Sequence, residues 1–316
     1  MNILRTAFSL ASPGGSQGRL SVFIFHRVLP ESDPLFPDEP DARCFSRTLD
    51  WIKSWFNVLP LDVAVDRLKQ RNLPPRAAVI TFDDGYADNR TIALPILQQH
   101  GLTATFFIAT GFLDGGRMWN DTVIESVRLS RKNNLDLTPL ELGMHDIANI
   151  IEKRNAIQAI IGQIKYLPVA ERAKLTDRIA EVAGANPPDN LMMTSTQVVE
   201  MRAAGMQIGA HTVSHPILAS ITLQQAREEI SGSKTFLEQL LGEKITLFAY
   251  PNGKPGMDYR PEHAALLQDL GFHAAVSTAW GAAACSSDVY QLPRFTPWDK
   301  SRLRFGMRLL GNFRTR

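Results

Sequence analysis

Cysteine is almost missing from these 316 residues. Only Cys44 and Cys285 are present, and no Cys-x-x-Cys occurs. That excludes a disulfide framework and a thiolate zinc site, and it favours free thiols in a reducing, cytoplasmic setting. A dominant charge is missing too. Thirty-four basic residues stand against 32 acidic ones, so there is no global basic footprint for nucleic acid. No apolar run approaches the ~18 residues of a membrane span. Low-complexity tracts and fixed-period repeats are also absent. What remains is ordinary for a folded chain: 44 % hydrophobic and 21 % charged residues, enough to bury a large core.

The ends are less ordinary. In Met1–Gly15 the apolar stretch Ala7–Ala11 is shorter than a signal-peptide core. Residues 1–20 are therefore expected to be an uncleaved, unordered segment. Residues 299–316 carry six basic side chains against Asp299 alone, with Leu303, Met307 and Leu310 at i, i+4, i+7. This reads as a basic C-terminal helix. It is either a last barrel helix with solvated charges or a peripheral contact with an anionic membrane surface.

Between these ends, short β-branched or aromatic runs alternate with amphipathic stretches. Strands are expected at Val22–Phe25, Ala77–Phe82, Ala104–Ala109, Gln207–Ala210, Ile245–Tyr250, His273–Ser277 and Gln291–Phe295. Helices are expected between them, opened by capping boxes at Thr194-x-x-Gln197 and Thr222-x-x-Gln225. A helix over 89–100 accommodates Pro95. This grammar means a parallel sheet covered by helices. The stretch from about 118 to 192 breaks it. Ile147–Ile164 and Ala170–Val182 look helical with no strand between, as in a helical insertion within one loop of a single unit spanning 21–298.

Chemistry-bearing residues collect at expected carboxyl ends of strands, where α/β folds place their sites. Asp83-Asp84-Gly85 closes the second strand. Two adjacent carboxylates need a positive partner or a shared proton, although Asp-Asp-Gly also suits a plain turn. His211-x-x-x-His215 follows Gln207–Ala210, at a spacing that lets two imidazoles converge on a metal. One carboxylate with two imidazoles leaves coordination positions open, and the second Asp is then placed as a general base. His100, His145, His263 and His273 read as structural, and Met192, Met193, Met201 and Met206 as core filler.

Thr81-Phe82-Asp83-Asp84-Gly85 together with His211-Thr212-x-x-His215-Pro216 resembles the polysaccharide deacetylase family (NodB homology domain, carbohydrate esterase family 4) over about Phe23–Phe295. The resemblance implies an α/β fold, a distorted barrel of about seven β/α units. It implies metal-dependent N-deacetylation of N-acetylhexosamine sugars, with Asp83 as base and Asp84, His211 and His215 as ligands of a divalent metal. Zinc is the default for that donor set; cobalt, nickel or iron fit it as well.

Two positions of the family pattern are unfilled. The third motif, here Phe248-Ala249-Tyr250-Pro251-Asn252-Gly253, lacks its arginine. The last, Leu292-Pro293-Arg294-Phe295, lacks its histidine. His26, ending the first strand, is similar to the first-strand histidine of the branch acting on β-1,6-linked poly-N-acetylglucosamine, and is the candidate acid. Arg294 is either the missing guanidinium beside Asp83 or a surface arginine. Tyr250 and Pro251 are expected to line the pocket, with the Tyr250 N–H at the oxyanion. Trp119 either stacks on a sugar ring or packs the insertion.

The substrate implied is a glycan or lipid-linked sugar, with no nucleic-acid partner. Two other functions stay open. One is hydrolysis of a small non-sugar amide. The other is a degenerate barrel that only binds glycan, which the two unfilled positions would suit.

Overall fold

The computed structural model describes residues 3–313. Nine strands form, β1 Leu20–Phe25, β2 Asn57–Val58, β3 Ala77–Phe82, β4 Thr105–Ile108, β5 Asn134–Leu137, β6 Gly143–Asp146, β7 Gln207–Ala210, β8 Leu247–Ala249 and β9 Ala274–Val276. All but β5 and β6 join one parallel sheet in the order β1-β3-β4-β7-β8-β9, with β2 paired to the start of β3. β1 and β3 are buried at every position, the pattern of strands covered on both faces. The sheet curls, and residues 292–295 span the gap between its edges. Phe295 N–H donates to Val22 O at 2.8 Å on one side, and Ser277 N–H donates to Leu292 O at 2.8 Å on the other. The result is the distorted (β/α) barrel expected. This last segment forms two isolated bridges and not the expected strand, because Pro293 has no N–H to give a ladder.

The α-helices among the described residues are α1 Ile3–Ala11, α2 Ala42–Trp55, α3 Leu61–Lys69, α4 Leu94–His100, α5 Trp119–Leu129, α6 Ile150–Ile164, α7 Val169–Ala183, α8 Ser195–Ala203, α9 Leu223–Leu241, α10 Pro261–Asp269 and α11 Arg302–Asn312. Both expected capping boxes are present, at Thr194 and Thr222. Pro95 falls in the first turn of α4, where a missing N–H costs nothing, and Asn89–Ala93 ahead of it adopts a wider π-helical turn.

The N-terminal expectation is corrected. Residues 3–11 are helical, and Phe8 is fully buried against Trp55, Phe56 and Phe313. Leu4 and Phe8, one helical turn apart, carry this packing; the run Ala7–Ala11 alone did not reveal it. α11 lies beside α1, with Leu4 against Gly306. Phe305 and Leu309 point inward, while Leu303 and Met307 stay exposed. Arg314 and Arg316 lie outside the described residues. No helix among these is long and apolar enough to cross a membrane.

The chain between β4 and β7 builds its own apolar cluster. Val123, Val127, Leu135, Leu137, Ile157, Ile160 and Ile179 pack there, joined by Leu35 from the loop after β1. It also contains an antiparallel hairpin, β5–β6, that the sequence reading lacked. Gly143-Met144-His145-Asp146 has no β-branched residue to announce a strand.

Candidate active site

The site sits where β1, β3 and β7 end. Past β3 the chain turns sharply, with Asp84 at φ 77° and Gly85 at φ 91°. The first is costly for a residue with a Cβ, and such strain concentrates at functional sites. Gly85 is pressed onto Ile108, 3.3 Å from where a Cβ would stand. After β7, Thr212 and His215 also take left-handed backbone, at 65° and 53°. This turn is pinned by Glu229 of α9, whose carboxylate accepts from the N–H groups of Val213 (2.9 Å) and Ser214 (2.8 Å).

These two turns bring Asp84, His211 and His215 together. Asp84 Oδ1 lies 3.3 Å from His211 Nε2 and 3.5 Å from His215 Nε2. One ligand atom from each falls within 4.8 Å of the others. His211 Nδ1–H donates to Ala249 O at 2.7 Å, which turns the Nε2 lone pair toward Asp84. Asp84 Oδ1 is buried and accepts no hydrogen bond among the described residues. An orphaned carboxylate oxygen facing two imidazole nitrogens suits a divalent cation, and this donor set is one that zinc accepts.

Asp83 is handled differently. Arg294, whose side chain is fully buried, grips it with two parallel bonds. Nη1 reaches Oδ1 and Nη2 reaches Oδ2, each at 2.7 Å. Arg294 is fixed in turn by Nε to Ser277 O at 2.8 Å. Burial alone would raise the Asp83 pKa, but the guanidinium outweighs it and the carboxyl is held below its usual range. Asp84 is likewise held down against burial by the two histidines. Of the imidazoles, His211 is raised, because Asp84 and Asp83 overcome its burial, whereas His215 is lowered to about 4 by burial.

A cavity of about 400 Å³ opens over this cluster, lined by His26, Asp83, Asp84, His211, His215 and Trp119, among others. His26 is exposed at it, and its carbonyl accepts from the Asn89 side chain at 2.9 Å. Trp119 packs against the insertion cluster, as one of its two expected roles requires, and also borders the cavity.

Tyr250 and Pro251 require correction. Neither lines the cavity. The Tyr250 ring stacks on Tyr259 at 3.7 Å, and its N–H donates to Val276 O at 3.2 Å, continuing the β8–β9 ladder. Asn252 and Thr278 line the cavity in their place. The left-handed Asn252-Gly253 pair (φ 59° and 75°) turns the chain there.

Other lining residues escaped the sequence reading. Tyr86 donates to buried Asp121 at 3.3 Å, and burial pushes the Asp121 carboxyl up to about 7. Arg27 stacks on Tyr86 at 4.6 Å and pairs with Asp88 at 2.8 Å. Only adjacency to Gly85 or Trp119 hinted at Tyr86 and Asp121. The four histidines expected to be structural are elsewhere; His263, for instance, accepts from Arg260 N–H to cap α10. The four methionines are buried as expected.

The chain is thus an α/β protein, a helix-wrapped parallel barrel with an Asp–His–His cluster at its carboxyl rim whose donor set could hold a metal ion. More narrowly, the chain belongs to the polysaccharide deacetylase family, whose model matches residues 70–134 and 147–275. The break in that match falls on the β5–β6 hairpin. YxkH of Bacillus subtilis, whose curated name places it provisionally among polysaccharide deacetylases, is 20 % identical over 278 residues, 87 % of this chain and 70 % of that protein. Among solved structures, the Streptococcus pyogenes deacetylase PplD matches with a TM-score of 0.61 at 18 % identity, covering 94 % of this chain and 99 % of its own. IcaB from Ammonifex degensii matches at 0.59 and 19 %, covering 96 % and 99 %. At these identities the structural likeness speaks for the fold.

Proposed function

We propose that this protein is a metal-dependent N-deacetylase of N-acetylhexosamine-containing glycans or glycolipid precursors. One observation carries the reading. Asp84, His211 and His215 converge beside an Asp83 that is clamped by Arg294, all facing one cavity.

Asp84, His211 and His215 would hold the metal, with zinc the identity proposed. Bound there, a divalent ion supplies Lewis acidity and makes water a stronger acid. Asp83 takes the proton of the attacking water. Arg294 keeps that carboxylate ionised and fixes its orientation, and so acts through Asp83 as a positioning residue. His26, protonated, gives its proton to the amine as the amide C–N bond breaks. One C–O bond forms, and acetate and a free amino sugar leave. The left-handed Asp84 and the His211–Ala249 bond set these groups in place before substrate arrives, which is how such sites gain most of their rate.

The binding-only alternative drew support from two unfilled motif positions. Arg294, far along the chain, now brings a guanidinium to Asp83, and that support weakens. Acetate release from a panel of N-acetylated sugars, set against small cyclic amides, tests the reading. Turnover of the cyclic amides alone would replace it.

A cytoplasmic protein touching an anionic membrane surface belongs to the same proposal. It rests on Ile3, Leu10, Leu303 and Met307, exposed on two adjoining helices with Arg302 and Arg304 among them.

A further inference from the structure

Charge pairing around the cavity is uneven. Arg27 is matched by Asp88 and Arg294 by Asp83. Arg128 is matched twice, by Asp33 at 2.6 Å and Glu125 at 3.0 Å. Two cations on the wall built by the insertion have no such match. Lys165, just past α6, and Arg172, in α7, both line the cavity, yet neither meets a carboxylate among the described residues. Arg172 is only 4 % exposed. Its one charge-directed bond is Nη1–H to Lys165 O at 2.9 Å, and its guanidinium lies 4.5 Å over the Trp119 ring. Most of its donors are not spent on protein groups, and an anion arriving from the cavity would pair with them.

The acids that share this cavity do not cancel the two cations. Asp33 is committed to Arg128. Burial raises the pKa of Glu39 and of Asp121. Lys165 and Arg172 border the same cavity as Asp83 and His211, and about 400 Å³ holds an amino sugar with an attached phosphate.

We propose that Lys165 and Arg172, backed by Trp119, form a phosphate subsite, so that the preferred substrate is an N-acetylhexosamine bearing a phosphate or diphosphate. This deepens the N-deacetylase reading and rests on it for the sugar alone. The phosphate belongs either to a nucleotide or to a lipid carrier, and the test below separates them.

Binding comes first, by calorimetric titration of inorganic pyrophosphate into the full chain. It is run on chelator-stripped protein in an Asp84→Asn background, so that no metal ion at the other end captures the anion. Lys165→Met is expected to weaken binding at least ~10-fold, the worth of a charge-assisted hydrogen bond. Lys165→Arg is expected to restore it. Arg172→Lys, which keeps the charge without the fork, covers the case in which removing Arg172 unfolds the insertion. Equal affinity in Lys165→Met and its parent overturns the subsite.

Turnover comes second. Acetate release is compared for N-acetylglucosamine 1-phosphate, UDP-N-acetylglucosamine, a short polyprenyl-diphosphate N-acetylglucosamine and a neutral N-acetylglucosamine oligomer. The proposal expects a phosphorylated substrate to lead in kcat/KM, and Lys165→Met to cut its ratio to the neutral oligomer about tenfold. A role of Arg172 and Lys165 in helix packing alone would leave that ratio unmoved. A preference for a uronate-bearing oligomer over every phosphate overturns the phosphate assignment. Acetate from the neutral oligomer with no pyrophosphate binding removes the subsite and leaves the deacetylase reading standing. Pyrophosphate binding with no acetate from any sugar does the reverse.

Discussion

The two ends of the cavity are built differently. At the barrel rim, Asp83, His211 and the loop carrying His215 are already held by neighbours. Arg294 grips Asp83, Ala249 O orients His211, and Glu229 pins the loop that carries His215. At the insertion wall, Lys165 and Arg172 are left without carboxylate partners among the described residues, in a subregion with its own apolar cluster. On the proposed reading, preorganisation belongs to the end that would do the chemistry, and unspent donors belong to the end that would recognise a ligand.

The comparison can be broken first at the rim, where effects should be largest. Asp83→Asn removes the base and is expected to lower kcat by about 10²–10⁴-fold while one divalent ion still binds. His26→Ala should lose a similar factor in the acid step. Acetate-release kinetics with metal analysis of both variants decide this, and near-full activity in His26→Ala removes it as the acid. Arg294→Met comes next. It leaves a buried carboxylate unpaired, so it should cost about 3–5 kcal/mol of stability as well as activity. Chemical denaturation beside the kinetics would show both, and a loss of activity with unchanged stability would contradict the buried clamp.

Away from the rim, Asp121 offers a pH test. Its folded pKa, about 7, is raised above the ordinary carboxylate value. Between about pH 4 and 7 the unfolded chain ionises at this residue and the folded chain resists, so Asp121 drains stability as pH rises through that window. Asp121→Asn lacks this drain. Relative to the parent it should gain stability from pH 4 to 7, up to about 4 kcal/mol. Melting temperatures of both proteins across that range would show the trend, and parallel curves would contradict it. The smallest effect concerns the surface. Leu303→Ser combined with Met307→Ser, both on the exposed face of α11, should lower binding to anionic vesicles in cosedimentation; equal binding rejects the membrane contact.

The same contrast explains what the sequence disclosed. The barrel strands and the rim were legible because their residues stand in short contiguous motifs at strand ends. Asp83-Asp84-Gly85 and His211-x-x-x-His215 needed only parallel strands to bring them together. Arg294 was legible as a candidate and no more, because its partner lies 211 residues away. The Tyr250 N–H was misread because the local motif does not reveal that β9 claims it. The helix at 3–11 was missed because its burial depends on α2 and α11, which a local window does not contain. Lys165 and Arg172 carry no signature at all. What sets them apart is the lack of a carboxylate partner among the described residues, and only the folded chain displays that.

The most direct test of the central claim is acetate release from an N-acetylhexosamine glycan by chelator-stripped protein, titrated with zinc. Activity is expected to rise linearly and break at one equivalent per chain, and to stay at background in the Asp84→Asn variant throughout. Full activity in the stripped protein, or the same titration curve for the variant, would contradict the assignment of Asp84, His211 and His215.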